Sequence, residues 1–348
     1  MKVCLVAAPL LARSGVYRSS RELVAAGQAE GLDWTLFQGV SRNAAGHRPP
    51  EDPPWVTEVE LEADGAKGIV SLRQLLKGSR DVAEADVIVS MIPQTDMALA
   101  TLAKPWVAYL RGRPWPAKGE SSSVRRIVWE VLERSALRRS KEVWATTHVL
   151  RDEIGLGRAV EIVPPGLAPR PRQWDGIGRR QTAVWAARFD IDKNPSLFVE
   201  MMARDGSDAA MYGAGPLQGQ IESMAPSNVR VRGWASASDL WDDAAVYVGT
   251  STREAFGRSA VEAAMAGIPL ILSARFGAAP LLITDPRLEA KLILEPSMGH
   301  LDRWVEALRE LREDEALRRK VSTHVVENAA KLTVGDSARA IRSRLESL

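Results

Sequence analysis

Short apolar runs alternate with longer stretches of helical apolar spacing along nearly the whole chain. Strand-like runs cover residues 2–7, 34–37, 56–61, 86–90, 107–110, 143–146 and 161–163, and helical spacing marks 19–31, 66–76 and 123–139. The pattern restarts with runs at 181–187, 209–212, 229–232, 246–249, 269–272 and 292–294, helices between them, and a charged helical tail from 301 onward. This alternation predicts an α/β chain built on parallel sheets, with helices covering both faces.

Punctuation divides the pattern. Pro164, Pro165, Gly166, Pro169, Pro171 and Gly176 form the clearest break in the chain, whereas residues 43–55, rich in proline and charge, predict an exposed loop. The expected units are residues 1–168 and 169–330, followed by a terminal helix from 331 to 348. A length of 348 residues fits this division, since it exceeds what one hydrophobic core sustains.

Composition narrows the classes. Hydrophobic residues make up 45% and charged residues 26%, as in globular proteins, and a net charge of +2 argues against nucleic acid as a partner. The single cysteine, Cys4, falls in the first strand as a core residue, and four scattered histidines offer no zinc cluster. The apolar start is too short for a signal core, and no run approaches the roughly 18 apolar residues of a membrane span. The expectation is a cytoplasmic protein with at most peripheral contact at the inner membrane face.

One helix invites two readings. Val124, Ile127, Val128, Val131 and Leu132 form an apolar stripe after Ser123, amid many basic residues between 111 and 141. Packing of that stripe on the core is favoured; the rival is a basic face for an anionic or lipid-linked acceptor at a membrane.

Chemistry concentrates in Thr252-Arg-Glu-Ala-Phe-Gly-Arg-Ser-Ala-Val-Glu-Ala-Ala-Met-Ala-Gly-Ile-Pro-Leu-Ile-Leu272. Glu254 and Glu262 are separated by seven residues, with Gly257 between them. A helix is expected from Gly257 to Gly267, the latter suiting a left-handed C-terminal cap, with Pro269 blocking continuation. Glu254 then precedes a helix start, whose unpaired N–H groups and dipole favour phosphate, and Glu262 lies inside the helix. Upstream, Arg188 and Lys193 are separated by four residues in the loop after the first strand of the second unit. Two fixed cations there suit an anionic group. Asp190-Ile-Asp192 has the spacing of a metal-binding pair, but its place inside that loop favours helix capping. Gly213-Ala-Gly215 lacks the third glycine of a dinucleotide fingerprint.

These motifs, in this order, resemble glycosyltransferase family 4, the retaining group with the GT-B fold and a Glu-x7-Glu segment. The resemblance implies two Rossmann-like parallel-sheet domains facing a central cleft, with a C-terminal helix that crosses back to the N-terminal domain. It implies transfer of a sugar from a nucleotide-diphosphate sugar, UDP- or GDP-linked, to an acceptor hydroxyl, with no bound metal and no resident cofactor. Small molecules, glycans and lipid-linked acceptors all fit. Arg188 and Lys193 would grip the diphosphate, Glu254 the sugar hydroxyls and Glu262 the ribose diol. Phe256, Gly257, Arg258, Ser259, Gly213, Gly215 and Gly233 would line the donor. Gly15, in Arg13-Ser-Gly-Val-Tyr-Arg18, would approach the phosphates from the first domain, with Arg13 and Arg18 as assistants or simply solvated. The chain departs from the family at Arg111, which follows Lys104-Pro-Trp-Val-Ala-Tyr-Leu110, where a histidine would contact the donor sugar. A guanidinium cannot act as a base, so orientation of the sugar or binding of an anionic group is the role open to it. His47 and His148 are poor replacements, the latter expected at a strand end. The rival readings are a GT-B epimerase or phosphorylase-like enzyme, and a catalytically impaired glycosyltransferase subunit.

Overall fold

The computed structural model describes all residues except 14, 47, 62–64, 117–121, 179, 234 and 236–239, and omits the side chains of 65 and 66. His47 and Trp234 therefore lie outside the described residues. The chain divides into two compact units, Met1–Ala168 with Val334–Leu348, and Pro169–Thr333.

The first unit holds seven strands: β1 Val3–Ala12, β2 Trp34–Ala45, β3 Val56–Leu61, β4 Val87–Ser90, β5 Trp106–Leu110, β6 Val143–Ala145 and β7 Glu161–Ile162. All pair in parallel, in the order β3-β2-β1-β4-β5-β6-β7. The second unit holds β8 Thr182–Ala186, β9 Ala209–Tyr212, β10 Val229–Arg232, β11 Ala244–Gly249, β12 Leu270–Ser273 and β13 Ile293–Leu294, parallel in the order β10-β9-β8-β11-β12-β13. Sheets of this kind are covered on both faces, so their strands read as continuous apolar runs, as β5, β8 and β11 do.

Each sheet reverses its winding once, between β1 and β4 in the first unit and between β8 and β11 in the second. The loops leaving the carboxyl ends of such neighbours diverge and open a crevice, which is where ligands of open α/β sheets bind.

Several boundaries differ from expectation. β1 runs five residues past the predicted end at 7, because register shifts between Ala7 and Leu10 absorb Pro9. β2 reaches Ala45 and takes in the start of the predicted loop. His148 does not end a strand; it opens the helix His148–Ile154, capped by Thr147. The tail is three helices, Leu301–Glu313, Glu315–Ala329 and Val334–Glu346. The last belongs to the first unit, where Ala338, Ile341 and Leu345 join Leu23, Val24, Trp34 and Trp144 in one core.

The largest correction concerns the helix Ser123–Leu137. Its stripe is not packed on the core: Val124 is 73% exposed, Val131 61% and Ile127 54%, with Val128 and Leu132 also exposed. What the helix buries is Glu133, Ala136 and Leu137. Apolar spacing defines a face, but an acid held inward has turned this one outward.

Candidate active site

The second unit's winding reversal gathers the charged motifs. The loop after β8 turns through a short 3-10 helix, Ile191–Lys193, and the loop after β11 carries Glu254. Lys193 Nζ sits 2.8 Å from Glu254 Oε2 and 3.2 Å from Asp192 Oδ2, and it donates to the Arg253 carbonyl at 3.2 Å. The loops are also tied through their backbones: Thr252 N–H donates to the Asp192 carbonyl at 2.9 Å, and Thr250 Oγ1 donates to Asn194 O at 2.9 Å. Trp185 Nε1 in β8 fixes the Thr250 hydroxyl from below at 3.0 Å.

The helix Arg258–Met265 starts from Gly257, whose φ of 94° lies in the left-handed region. A Cβ on Gly257 would fall 1.8 Å from the Phe276 ring, so both backbone angle and space demand glycine here. Phe276 is held in place because Glu254 N–H donates to the Arg275 carbonyl at 3.1 Å and Gly277 N–H to the Glu254 carbonyl at 2.8 Å. Gly267, with φ 84°, closes the helix, and a Cβ there would lie 1.9 Å from the Trp174 carbonyl.

Within the helix, Glu262 stands 3.7 Å from Arg170 Nη2, and Ser259 Oγ lies 2.8 Å from the Tyr247 hydroxyl. Burial drives the Tyr247 phenol pKa well above its ordinary value, so it stays a neutral hydrogen-bonding group. Phe256 is 6% exposed and its carbonyl accepts from Ala278 N–H, which makes it a structural support of the turn. Arg258 lies at the start of the helix.

Arg188 is set apart from this cluster. Its side chain is 69% exposed and its closest acid is Asp190, at 3.4 Å. Asp190 caps the 3-10 helix through Ile191 N–H at 2.8 Å. Asp192 does not cap as expected; its carboxylate faces Lys193 and Arg253. Among the described residues, no group of three or more histidine, cysteine or acidic side chains could hold a metal ion.

Gly213 and Gly215 lie in the loop after β9, and Gly233 follows the neighbouring β10. Gly213 N–H donates to the Gly233 carbonyl at 3.2 Å, and Phe189 N–H to the Ala214 carbonyl at 3.1 Å. A Cβ on Gly213 or Gly215 would collide with the backbone of Ala187 or Phe189.

The first unit repeats the device in looser form. Gly15, with φ 53°, opens the helix Val16–Ala29 directly after β1, and a Cβ there would meet nothing within 4 Å. Arg111 follows β5; its Nη2 donates to Ser19 Oγ at 2.9 Å, and its guanidinium lies 4.9 Å from the Tyr109 ring centre. Ser19 N–H donates to the Gly15 carbonyl at 3.0 Å, so Arg111 rests on the first turn that Gly15 begins. Among the described residues no carboxylate pairs with Arg111. Arg13 is engaged elsewhere, 3.1 Å from the buried Glu58, while Arg18 is exposed.

Two partners escaped sequence reasoning. Arg170, in the proline-rich segment, reaches Glu262 across 92 residues, and Phe276-Gly277 shapes the Gly257 turn. The second had a signal, an aromatic–glycine pair just beyond the β12 strand.

Comparison with known proteins agrees with this geometry. Residues 180–341 match the model of a family described as "Family 4 Glycosyltransferase in conflict systems". No curated protein sequence matches the chain. Among solved structures, a sucrose-phosphate synthase from Thermosynechococcus elongatus is similar with a TM-score of 0.80 at 16% identity, covering 100% of this chain and 99% of that one. The Anabaena protein HepE, in complex with UDP and glucose, gives 0.73 at 16% identity over 100% of both chains. A glycosyltransferase from Rickettsia africae gives 0.71 at 12% identity, covering 99% and 98%. With two parallel α/β sheets and likeness to solved glycosyltransferases over its full length, the chain has the GT-B fold, and residues 180–341 carry the match to a family 4 glycosyltransferase model.

Proposed function

We propose that the protein transfers a sugar from a nucleotide-diphosphate donor to an acceptor hydroxyl, with retention at the anomeric carbon and without a bound metal. The observation that carries this reading is the 2.8 Å contact between Lys193 and Glu254. It joins the two charged motifs at the winding reversal, beside a glycine-started helix whose N-terminal end suits phosphate.

In this reading Lys193 and the helix start stabilise the departing diphosphate, and Arg188, exposed on the same loop, folds onto it when the donor arrives. Glu254 takes the sugar hydroxyls once Lys193 turns to phosphate. Glu262 exchanges the long contact with Arg170 for the ribose diol. The capture of UDP and glucose by HepE supports a uridine diphosphate donor, with GDP-sugars as the next candidates. Asp190 and Asp192 are occupied by an amide and by cations, which supports chemistry that survives chelation. A cytoplasmic site of action follows from the supply of nucleotide sugars.

Melting curves with UDP-, GDP-, ADP- and TDP-sugars identify the donor, since a ligand that binds only the folded state raises apparent stability. Incubation of the stabilising sugar with and without EDTA then reports hydrolysis and transfer. We expect one nucleotide to raise the melting temperature and release of its diphosphate to persist in EDTA. Epimerised or phosphorolysed sugar would support the rival enzyme classes. Binding without turnover would support an impaired subunit, and no binding at all would overturn the reading.

A further inference from the structure

The outward face of the helix Ser123–Leu137 is built for a different environment from the rest of the surface. Val124, Ile127, Val128, Val131 and Leu132 recur at the spacing of a single face and are 49–73% exposed. They form a strip about 12 Å long at 1.5 Å per residue. Folded monomers seldom leave so contiguous an aliphatic strip in water.

The exposed charges of the helix and its C-terminal end are basic. Arg125, Arg138 and Arg139 are exposed, whereas the helix's two acids are withdrawn: Glu133 is buried and Glu130 pairs with Arg134 at 2.9 Å; nearby, Arg113 pairs with Glu153 at 3.4 Å. At the N-terminal end, Arg125 and Trp129 join Arg113 and Trp115 in lining a cavity of about 430 Å3. Trp115 is 3% exposed, and its indole N–H has no acceptor among the described residues.

Aliphatic strip, flanking guanidiniums and indoles at one end are the parts of a helix that lies in a lipid interface. We propose that this face docks the protein onto a bilayer surface rich in anionic phospholipid. The aliphatic side chains enter the acyl boundary, while the arginines and the indole-lined cavity meet lipid phosphates. Charge argues against a second copy as the occupant, because self-pairing would bring the exposed Arg125, Arg138 and Arg139 against their own copies, while the acids of the helix itself, Glu130 and Glu133, are paired or buried. Spanning is not involved, since no helix among the described residues is long and apolar enough to cross a membrane. The proposal does not depend on which sugar the enzyme transfers.

The test is flotation of the full-length protein with vesicles of equimolar phosphatidylglycerol and phosphatidylcholine, and with phosphatidylcholine alone. Wild type should float with the mixed vesicles only, and less so at high salt. Val128→Asp combined with Val131→Asp should lower partitioning by about tenfold or more at unchanged melting temperature, because both positions are exposed. Should the aspartates disturb folding, Ile127→Ser with Val131→Ser asks the same question more gently. Failure of wild type to float, or equal flotation of the variants, overturns the proposal. So does a lipid-free dimer, seen by light scattering, that the same substitutions dissociate, since the strip would then belong to a second copy.

Discussion

Charge is handled differently at the charged loops of the second unit and around Arg111 and the buried acids of the first, although the first unit also pairs Glu58 with Arg13 and Arg21. In the second, acids meet cations: Glu254 with Lys193 at 2.8 Å, Glu262 with Arg170 at 3.7 Å. In the first, Arg111 rests on a hydroxyl and a tyrosine ring, while two acids, Asp96 and Glu133, are buried together without a cation. The second unit's site is thus charged but internally balanced, so a diphosphate bound there as proposed would exchange partners with side chains already in place. The first holds, at one strand end, an arginine with no carboxylate partner among the described residues, and elsewhere a buried pair of acids. Ligand binding should therefore cost the second unit reorganisation and the first unit almost none.

The sharpest way to break this contrast is at Lys193. Lys193→Ala removes the cation that holds Glu254 and, in the proposed function, would face the diphosphate, and turnover should fall by about 100-fold or more, the loss typical of one charge-stabilising donor. Arg188→Ala, far more exposed, should cost turnover with little change in melting temperature. A folded Lys193→Ala, Arg188→Ala double variant with near-normal turnover would dissolve the proposed clamp.

The buried acids come next. Burial raises the Asp96 carboxyl to about 7 and holds Glu133 well above the usual range, the neighbouring Asp96 adding to the effect. If both were ionised, Asp96 Oδ1 and both Glu133 carboxylate oxygens would face no donor, whereas a shared proton supplies one. Unfolded carboxyls ionise near 4, so between there and about 7 the folded state holds more protons, and stability falls as pH rises through that window. Asp96→Asn should flatten that fall: the melting temperatures of wild type and variant should diverge most at low pH and converge, or cross, above pH 7. Parallel pH curves would show that the pair carries no displaced proton.

Glycine substitutions compare the two helix starts directly. Gly257→Ala meets the Phe276 ring at 1.8 Å as well as an unfavourable φ, so about 2–4 kcal/mol of destabilisation is expected. Gly15→Ala meets open space and should cost only the backbone term, about 1 kcal/mol. Similar melting shifts for the two would mean that the Phe276 contact relaxes freely.

Much of the fold was legible because parallel strands announce themselves as apolar runs: β3, β9 and β10 fall where the pattern places them. Legibility failed where identity within an element mattered more than its period. Pro9 hid the second half of β1, and the short helix Pro93–Leu99, which buries Asp96, offered too few turns to register as periodic. The stripe from Val124 to Leu132 was visible as a face, but its direction depended on Glu133 and Asp96 finding each other. In the same way the sequence displayed Lys193 and Glu254 as separate motifs; their contact spans 61 positions and exists only because β8 and β11 are neighbours.

Arg111 carries a modest expected effect on stability and the most specific one on substrate. Its partners are neutral, so Arg111→Met forfeits one hydrogen bond from a charged donor and one ring contact, about 1–3 kcal/mol at most for a half-buried group. Breaking a buried ion pair would cost about 3–5 kcal/mol, so the melting temperature separates the two cases. Kinetics then decide the role. A guanidinium with no carboxylate partner among the described residues suits an anionic group on donor or acceptor. Arg111→Met should therefore raise the KM of one substrate while leaving that of the other unchanged. Arg111→His, which restores the residue usual in the family, should shift preference among acceptors and retain more of the turnover. If both variants match wild type in KM, turnover and melting temperature, Arg111 serves only to seat Ser19, and the contrast between the two units reduces to the buried acids.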